Sequence, residues 1–266
     1  MRCLLINGSP NRGNTYTLAM TVINHLQLKA DFELEEIHLS RRQIPLCEGC
    51  YCCFERGENA CLHRSLFADI VTKIESADAL IILSPTYSKA VTPHLKNLFD
   101  HLAYLMLRPR YFEKKALVIA TSMGKASKTI ASYIREILHA WGVNHVMTFS
   151  MACRSTRGYS PAINVVNRLE CLADIFYNDV KSGRLHQPFF NTLKHYNSSR
   201  AKAAAFSRSR LSEFWKEHGM LDEPYFPIVK MNIPKRLFGW IIFKYILHKY
   251  KKLLRNENFA ILARHF

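Results

Sequence analysis

Short apolar segments alternate with helical patterns over the first 180 residues, and this alternation limits the fold more than any other feature of the chain. Asp78–Leu83 (DALIIL) and Ala116–Ala120 (ALVIA) are continuously apolar, which is typical of strands covered by helices on both faces. Arg2–Ile6 and Val143–Met151 predict two more strands, and Phe32–Leu39 alternates as a half-exposed edge strand. Five strands in βα alternation predict an α/β fold with a doubly wound parallel sheet between two layers of helices.

The predicted strand order is 2-1-3-4-5, the flavodoxin-like arrangement, in which ligands lie beyond the carboxyl ends of strands one and three. Three predicted loops meet at that edge, namely Gly8–Thr15, Ser84–Thr92 and Thr121–Lys128. All three are rich in Ser, Thr, Gly, Asn and Tyr. The predicted helices follow the strands over Thr15–Leu28, Leu66–Glu75, Pro93 onwards, Ser127–Trp141 and Pro161–Val180.

The first of these loops leads from a strand to a helix N-terminus, where free backbone N–H groups and the helix dipole favour an anion. It has neither the Gly-Lys-Ser/Thr ending of a P-loop nor the three glycines of the dinucleotide fold. A small loop of Ser, Asn and Thr suits a lone monophosphate ester, and flavin mononucleotide (FMN) is a common cofactor that ends in one. A turn that caps the helix and binds nothing remains the alternative.

Composition restricts the class of protein. An apolar content of 48% in 266 residues excludes wholesale disorder. The apolar run after Arg2 is too short for a signal peptide, and no segment approaches the roughly 20 apolar residues that cross a bilayer. We therefore expect a cytoplasmic protein, in which the eight cysteines act as thiols, metal ligands or redox groups.

The net charge of +16 is concentrated at the C-terminal end, where residues 190–266 carry +10. We predict a flavodoxin-like domain over residues 1–185 and a basic helical extension over 186–266. Within the extension, Arg200–Glu217 and Lys235–Leu254 have helical patterns, and the second is basic and amphipathic. Residues 235–255 could lie on an anionic membrane surface, or pack on the main domain or a partner subunit. Nucleic acid is not expected, because no recognised binding motif accompanies the basic residues.

The loop motifs resemble those of the flavodoxin-like NAD(P)H-dependent FMN reductase family, particularly the branch that includes the iron–sulfur flavoproteins. The similarity covers roughly residues 1–151 and rests on Gly8–Thr15 (GSPNRGNT), the cysteines between Cys47 and Cys61, Ser84–Tyr87 (SPTY) and Leu95–Asn97.

This resemblance implies non-covalently bound FMN, reduced by NAD(P)H, which passes electrons to a small acceptor such as a quinone or a flavin. Its phosphate would contact the first loop, its ring would lie against the second, and the third would touch the ring from the other side. The residues implied are Ser9, Arg12, Asn14 and Thr15 for the phosphate, and Pro85, Thr86, Tyr87, Ser88, Thr121, Ser122 and Gly124 around the ring. Relatives are commonly oligomers, so a homo-oligomer is implied as well. No catalytic acid–base pair is required, because the redox chemistry belongs to the cofactor.

A second group of residues could bind metal, in the cysteine-rich loop 44–64. Cys47, Cys50 and Cys53 form a CxxCxxC pattern, and Cys61 completes a set of four. The pattern is similar to the cluster motif of iron–sulfur flavoproteins, although Ser65 and Leu66 stand where relatives often carry paired aspartates. A 4Fe–4S cluster, a structural zinc and metal-free thiols are the three alternatives.

Three functions therefore stay open at this stage. The first is an FMN-dependent NAD(P)H oxidoreductase. The second is an iron–sulfur flavoprotein that carries electrons through a cluster on the cysteine loop. The third is a non-catalytic flavodoxin-like module that docks through its basic tail.

Overall fold

The computed structural model describes residues 1–153 and 159–255, and its central feature is one five-stranded sheet. The sheet is parallel throughout, in the order β2-β1-β3-β4-β5. Its strands are β1 (Arg2–Asn7), β2 (Glu33–His38), β3 (Ala79–Pro85), β4 (Lys115–Ser122) and β5 (His145–Ala152). The predicted flavodoxin-like fold and strand order are confirmed.

Helices cover both faces of the sheet and form the C-terminal extension. Those that follow the strands are α1 (Asn14–Leu26), α3 (Arg64–Ser76), α4 (Pro93–His101), α5 (Ser127–Ala140) and α6 (Ile163–Lys181). The cysteine-rich loop contains the short α2 (Cys52–Glu55). The extension contains α7 (Phe190–Ala205), α8 (Arg210–Glu217) and α9 (Ile233–Leu254). Residues 256–266 of the predicted extension lie outside the described residues.

Alternate side chains of each buried strand enter two separate cores, because successive residues of a strand point to opposite faces. Leu4 and Ile6 pack with α3, α4 and α5, whereas Cys3 and Leu5 pack with α1 and α6. The edge strand β2 is only half-buried, as its alternating sequence predicts.

A third hydrophobic core holds the extension together. It is built from α7, α8 and the irregular segment between α8 and α9. Phe112 of the sheet domain is also buried in this core. Two side chains of the extension also donate hydrogen bonds to the segment that follows α4. Trp215 Nε1 donates to the carbonyl oxygen of Leu107 at 2.8 Å, and His195 Nε2 donates to that of Met106 at 2.8 Å.

The predicted helix over Arg200–Glu217 is wrong, because the structure has two helices there. The chain leaves α7 after Ala205, and Ser209 begins α8 by accepting a hydrogen bond from the backbone N–H of Ser212 at 3.2 Å. Ser is a strong N-cap residue, and the break lets Leu211, Phe214 and Trp215 turn into the third core.

The predicted helix over 235–254 is confirmed as α9, which packs against α7. A Cβ atom at Gly239 would lie 2.9 Å from Pro224 Cβ, so glycine permits this close approach. Arg200 of α7 is 1% exposed, and its guanidinium lies 4.4 Å from the ring of Trp240 and 3.9 Å from that of Phe243, both on α9. Burial lowers the pKa of Arg200 to about 10.

The apolar side chains of α9 are divided between two faces. Ile242 and Ile246 are half-buried, whereas Leu237, Ile241 and Tyr245 are exposed on the other side. Contact of this helix with a membrane surface stays a prediction. Within the described residues, every helix is too short or too polar to span a bilayer.

The junction of β1, β3 and α4 predicts a specific sensitivity to substitution. A Cβ at Gly8 would lie 2.8 Å from the carbonyl oxygen of Leu83 and 3.0 Å from Leu95 Cβ. We expect Gly8→Ala to lower the free energy of unfolding by about 1–3 kcal/mol, the usual cost of overpacking, in urea denaturation. Gly124→Ala is the matched control, because its Cβ would meet nothing within 4 Å. Equal stability of the two variants would contradict the close approach.

Candidate functional site

The three polar loops lie together at the carboxyl edge of the sheet, as the strand order requires. In the register, Asn7 is paired with Leu83, and Pro85 is paired with Thr121. Strands β1, β3 and β4 therefore end at nearly the same level. The loops that follow them face one another across the switch point between β1 and β3.

Backbone contacts join the first loop to the second. Gly8 N donates to the carbonyl oxygen of Leu83 at 2.9 Å, and Thr92 Oγ1 donates to the carbonyl oxygen of Gly8 at 2.7 Å. Thr92 occupies the N-cap position of α4 before Pro93. Its hydroxyl, however, bonds across to Gly8 rather than to its own helix.

Thr121 joins the third loop to both others. The hydroxyls of Thr15 and Thr121 lie 2.6 Å apart, and both residues are buried. The backbone N–H and the hydroxyl of Thr86 both donate to the carbonyl oxygen of Thr121, at 2.8 and 2.9 Å. Three of the predicted site residues therefore form the hydrogen-bonded floor on which the loops meet.

The N-terminus of α1 has the features of an anion site. Gly13 is its N-cap, and within the described residues no side chain caps this end and no acidic residue lies in the first turn. The approach to the helix is a fixed turn. Asn7 Oδ1 accepts from Ser9 N at 2.9 Å, and Ser9 Oγ donates to the carbonyl oxygen of Asn11 at 2.7 Å. The positive end of the helix dipole is thus presented to the loop.

Charged groups lie at the side of this loop towards β2. Arg12 is exposed, lies 3.8 Å from Glu36 Oε2 and stands over the ring of Tyr16 at 5.1 Å. His38 Nε2 lies 2.7 Å from Glu36 Oε1, and its Nδ1 lies 3.1 Å from Asn7 Nδ2. Partial burial lowers the pKa of His38, although the neighbouring Glu36 carboxylate raises it.

The second loop presents an exposed aromatic ring on a tight hairpin turn. Tyr87 N donates to the carbonyl oxygen of Ala90 at 2.9 Å, and Ala90 N donates back at 2.8 Å. The central residues Ser88 and Lys89 have φ angles of 48° and 63°, a left-handed conformation that is costly for residues other than glycine. Pro85 and Thr86 are half-buried below it, and Tyr87 is 42% exposed.

The third loop closes the site beside β4. Ser122 Oγ donates to the carbonyl oxygen of Gly124 at 2.5 Å and accepts from Ser127 N at 3.2 Å. Ser122 is buried, whereas Gly124 is exposed. The predicted residues of all three loops thus share one edge of the sheet. Their contact with a flavin stays a prediction.

The cysteine-rich loop is held against α4 by two side chains. Asn97 Oδ1 accepts from Cys47 N at 3.0 Å, and Asn97 Nδ2 donates to the carbonyl oxygens of Ile44 and Pro45 at 3.1 and 3.0 Å. His101 Nε2 also donates to Pro45 O at 2.9 Å. Its Nδ1 is then an acceptor, 3.9 Å from the sulfur of Cys61.

Buried arginine anchors the other end of this loop. Arg108 is 2% exposed and donates to the carbonyl oxygens of Cys53 and Phe54, and also to Glu58 Oε2 at 3.2 Å. Arg110 binds the second carboxylate oxygen of Glu58. Burial alone would raise the pKa of Glu58, but a backbone N–H and Arg110 hold it below its usual value.

The four predicted metal-binding cysteines line one cavity of about 240 Å³, together with His101 and Asp100. Desolvation, followed by the charges of the neighbouring thiols, raises the pKa of Cys53 to about 11. A tetrahedral zinc with thiolates at about 2.3 Å holds its sulfurs about 3.8 Å apart. Within the described residues the cysteine sulfurs form no group of three within 4.8 Å. Zinc, a 4Fe–4S cluster and metal-free thiols all stay predictions for this loop. The members of the set are Cys47, Cys50, Cys53 and Cys61.

The anchors of this loop are not predicted from the sequence. Asn97 stands in a quoted motif but has no assigned role there, and His101 and Arg108 carry no signal. Their partners are backbone carbonyls about 50 residues away along the chain, and a local pattern does not report such distant contacts.

Comparisons with known proteins agree with this geometry. A family model described as NADPH-dependent FMN reductase matches residues 1–156. An iron–sulfur flavoprotein of Archaeoglobus fulgidus is 31% identical over 146 residues, which is 54% of this chain and 64% of that protein. The chain thus spans slightly under two thirds of that relative.

Two further comparisons cover more of the chain. An iron–sulfur flavoprotein of Methanocaldococcus jannaschii is 29% identical over 198 residues, 69% of this chain and 99% of that protein. The structure of an NAD(P)H:quinone oxidoreductase from Methanothermobacter marburgensis is similar with a TM-score of 0.51 and 17% identity, covering 71% of this chain and 99% of that one. At this identity the last likeness concerns the fold alone.

The anchoring of the cysteine loop can be tested by hydrogen exchange. Asn97→Ala removes the acceptor of the Cys47 N–H and the donor to two carbonyls. We expect exchange at the amides of residues 44, 46 and 47 to accelerate by about fivefold, since one hydrogen bond contributes about 1 kcal/mol. Asn191→Ala, at an exposed position on α7, is the control and should leave these amides unchanged. Unchanged exchange in Asn97→Ala would show that the loop is held by other contacts.

Proposed function

The chain belongs to the NADPH-dependent FMN reductase family, and we propose that it is an FMN-dependent oxidoreductase that passes electrons from NAD(P)H to a small acceptor. The observation that carries this proposal is the convergence of three polar loops beside the uncapped N-terminus of α1. The acceptor would be a quinone, a flavin or a similar molecule.

The residues at α1 fit a phosphate monoester. The first turn supplies backbone N–H groups, and Ser9, Asn14 and Thr15 supply polar side chains at the same end. The absence of an acidic residue from this turn leaves the dipole unopposed for an incoming dianion. Arg12 adds a positive charge beside the loop. The same guanidinium also lies 3.8 Å from Glu36 Oε2.

The second and third loops fit a flat aromatic ring. Tyr87 exposes its side chain on a hairpin whose backbone is closed by two hydrogen bonds, so the ring is presented on a rigid turn. Pro85, Thr86 and Ser88 would form the wall, and Thr121, Ser122 and Gly124 would face the other side. Apolar and aromatic walls with a few fixed polar groups are typical of cofactor sites.

Bound flavin supplies the hydride and electron chemistry in such enzymes, so this chain's residues need only bind, orient and shield it. The bonds of Thr121 to Thr15 and Thr86 fix the relative position of the three loops. The contact between His38 Nδ1 and Asn7 Nδ2 holds the base of the phosphate loop.

The cysteine loop supports a second candidate function, an iron–sulfur flavoprotein that transfers electrons through a 4Fe–4S cluster. Its four cysteines line one cavity. Arg108 and Arg110 contact this loop at Cys53 O and Glu58, and their positive charge would balance the negative charge of a thiolate-bound cluster. The relatives from Archaeoglobus fulgidus and Methanocaldococcus jannaschii are named iron–sulfur flavoproteins.

Binding of the phosphate can be separated from binding of the ring. We expect Asn14→Leu to weaken FMN binding by about 10- to 100-fold, because a hydrogen bond to a charged group contributes about 1.5–3 kcal/mol. Binding of riboflavin, which lacks the phosphate, should change little. Both ligands are titrated into apoprotein by fluorescence.

Asn24→Leu, the same substitution at an exposed position of the same helix, is the control and should bind FMN normally. Unchanged FMN affinity in Asn14→Leu would remove the phosphate loop from the proposal.

Anaerobic purification with iron and sulfide analysis tests the cluster. If the second candidate holds, the protein contains about four irons and four acid-labile sulfides. Cys50→Ser should then lose them, whereas Cys171→Ser, at an exposed cysteine of α6, should keep them. Flavin without iron would reject the cluster and leave the reductase proposal standing.

A further inference from the structure

Two histidines and an aspartate meet where the sheet domain joins the extension. His145 is the first residue of β5, Asp179 lies in the last turn of α6, and His186 lies in the segment 182–189 that leads to α7. Three separate parts of the chain thus meet at the amino ends of the strands. The polar loops lie at the opposite, carboxyl ends.

The contacts are centred on the Asp179 carboxylate. His145 Nδ1 lies 2.8 Å from Asp179 Oδ2, and His186 Nε2 lies 2.6 Å from Asp179 Oδ1. The ring centroids of the two histidines are 4.2 Å apart. The three ligand atoms all lie within 4.8 Å of one another. Each imidazole thus contacts a different oxygen of the same carboxylate, and the two nitrogens lie within 4.8 Å of each other.

We propose that His145, Asp179 and His186 form a binding site for a divalent transition-metal ion of the zinc type. Two imidazoles and a carboxylate are a common protein ligand set for zinc. One ion would take the place of the two protons that now join the imidazoles to the carboxylate. Zinc ligands at about 2.0–2.2 Å lie about 3.3 Å apart, so the observed contacts need to widen by only about half an ångström.

The surroundings fit a metal as well as the ligands do. The side chains are 28%, 10% and 27% exposed for His145, Asp179 and His186, so water can supply the fourth ligand.

Neighbouring groups hold the backbone at His186. Asn144 Oδ1 accepts from His186 N at 2.8 Å, and Asn144 Nδ2 donates to His186 O at 3.0 Å. The Lys115 ammonium donates to Asn144 Oδ1 at 2.6 Å and to the carbonyl oxygen of Arg184 at 2.5 Å. These bonds fix the backbone of the segment that carries His186.

A metal ion at this point would tie the extension to the sheet domain. His186 belongs to the connecting segment, and the other two ligands belong to the sheet domain. Binding would therefore stabilise the docked arrangement of the two parts, because an ion that binds only the folded arrangement shifts the equilibrium towards it.

Cobalt(II) and zinc titration of the full chain tests the site. To exclude the cysteine loop, the titration is done in a variant with serine at positions 47, 50, 53 and 61. We expect one ion to bind, with a cobalt spectrum that lacks thiolate charge-transfer bands. Zinc at one hundred times its Kd should raise the melting temperature by about 5–10 °C.

Loss of either histidine should weaken this binding by more than about 100-fold, since even an outer partner of a metal site contributes about 10- to 100-fold. The variants are His145→Gln, His186→Gln and Asp179→Asn. His25→Gln is the matched control, because His25 pairs with Asp174 at 3.1 Å without a second histidine.

Absence of binding, or equal affinity in all four variants, would overturn the proposal. Should the four-serine variant not fold, the wild-type chain is titrated with cobalt and read by the same spectral criterion. A spectrum with thiolate bands alone would then count against the site.

Discussion

The contact of Gly8 with the end of β3 is the constraint on which the rest of the polar edge depends. The backbone of Gly8 bonds to Leu83, and Thr92 bonds back to Gly8, so the ends of β1, β3 and α4 are joined within one residue. Only a residue without a side chain fits at this distance. The position of the α1 N-terminus follows from this contact, because the chain has only five residues between Gly8 and Asn14 in which to reach it.

Much of the sheet domain can be predicted because its information is local. Continuous apolar runs such as DALIIL report strands that are buried on both faces, and the half-polar Phe32–Leu39 reports an edge. Strand order and loop convergence then follow from the rules of parallel sheets. The resemblance to a reductase family adds the cofactor, which the residues alone leave open.

The extension and the anchors of the cysteine loop are harder to predict, because distant partners determine them. The break between α7 and α8 depends on a serine cap and on the third core. This core brings Phe112 together with residues as distant in sequence as Val229. Asn97 and Arg108 are polar residues whose sequence neighbours give no signal. Both donate hydrogen bonds to backbone carbonyls of the cysteine-rich loop. Such contacts are visible only after the chain has folded.

The burial of Arg200 beneath Trp240 and Phe243 has a consequence for the order in which the chain matures. The guanidinium is shielded on one side by α7 and the segment after α8, where its Nε donates to Leu221 O, and Trp240 and Phe243 of α9 cover it with their rings. During synthesis the sheet domain emerges before α9, because the chain is made from its N-terminus. The cation therefore stays in solvent until α9 has left the ribosome, and the extension reaches its packing around Arg200 only after that point.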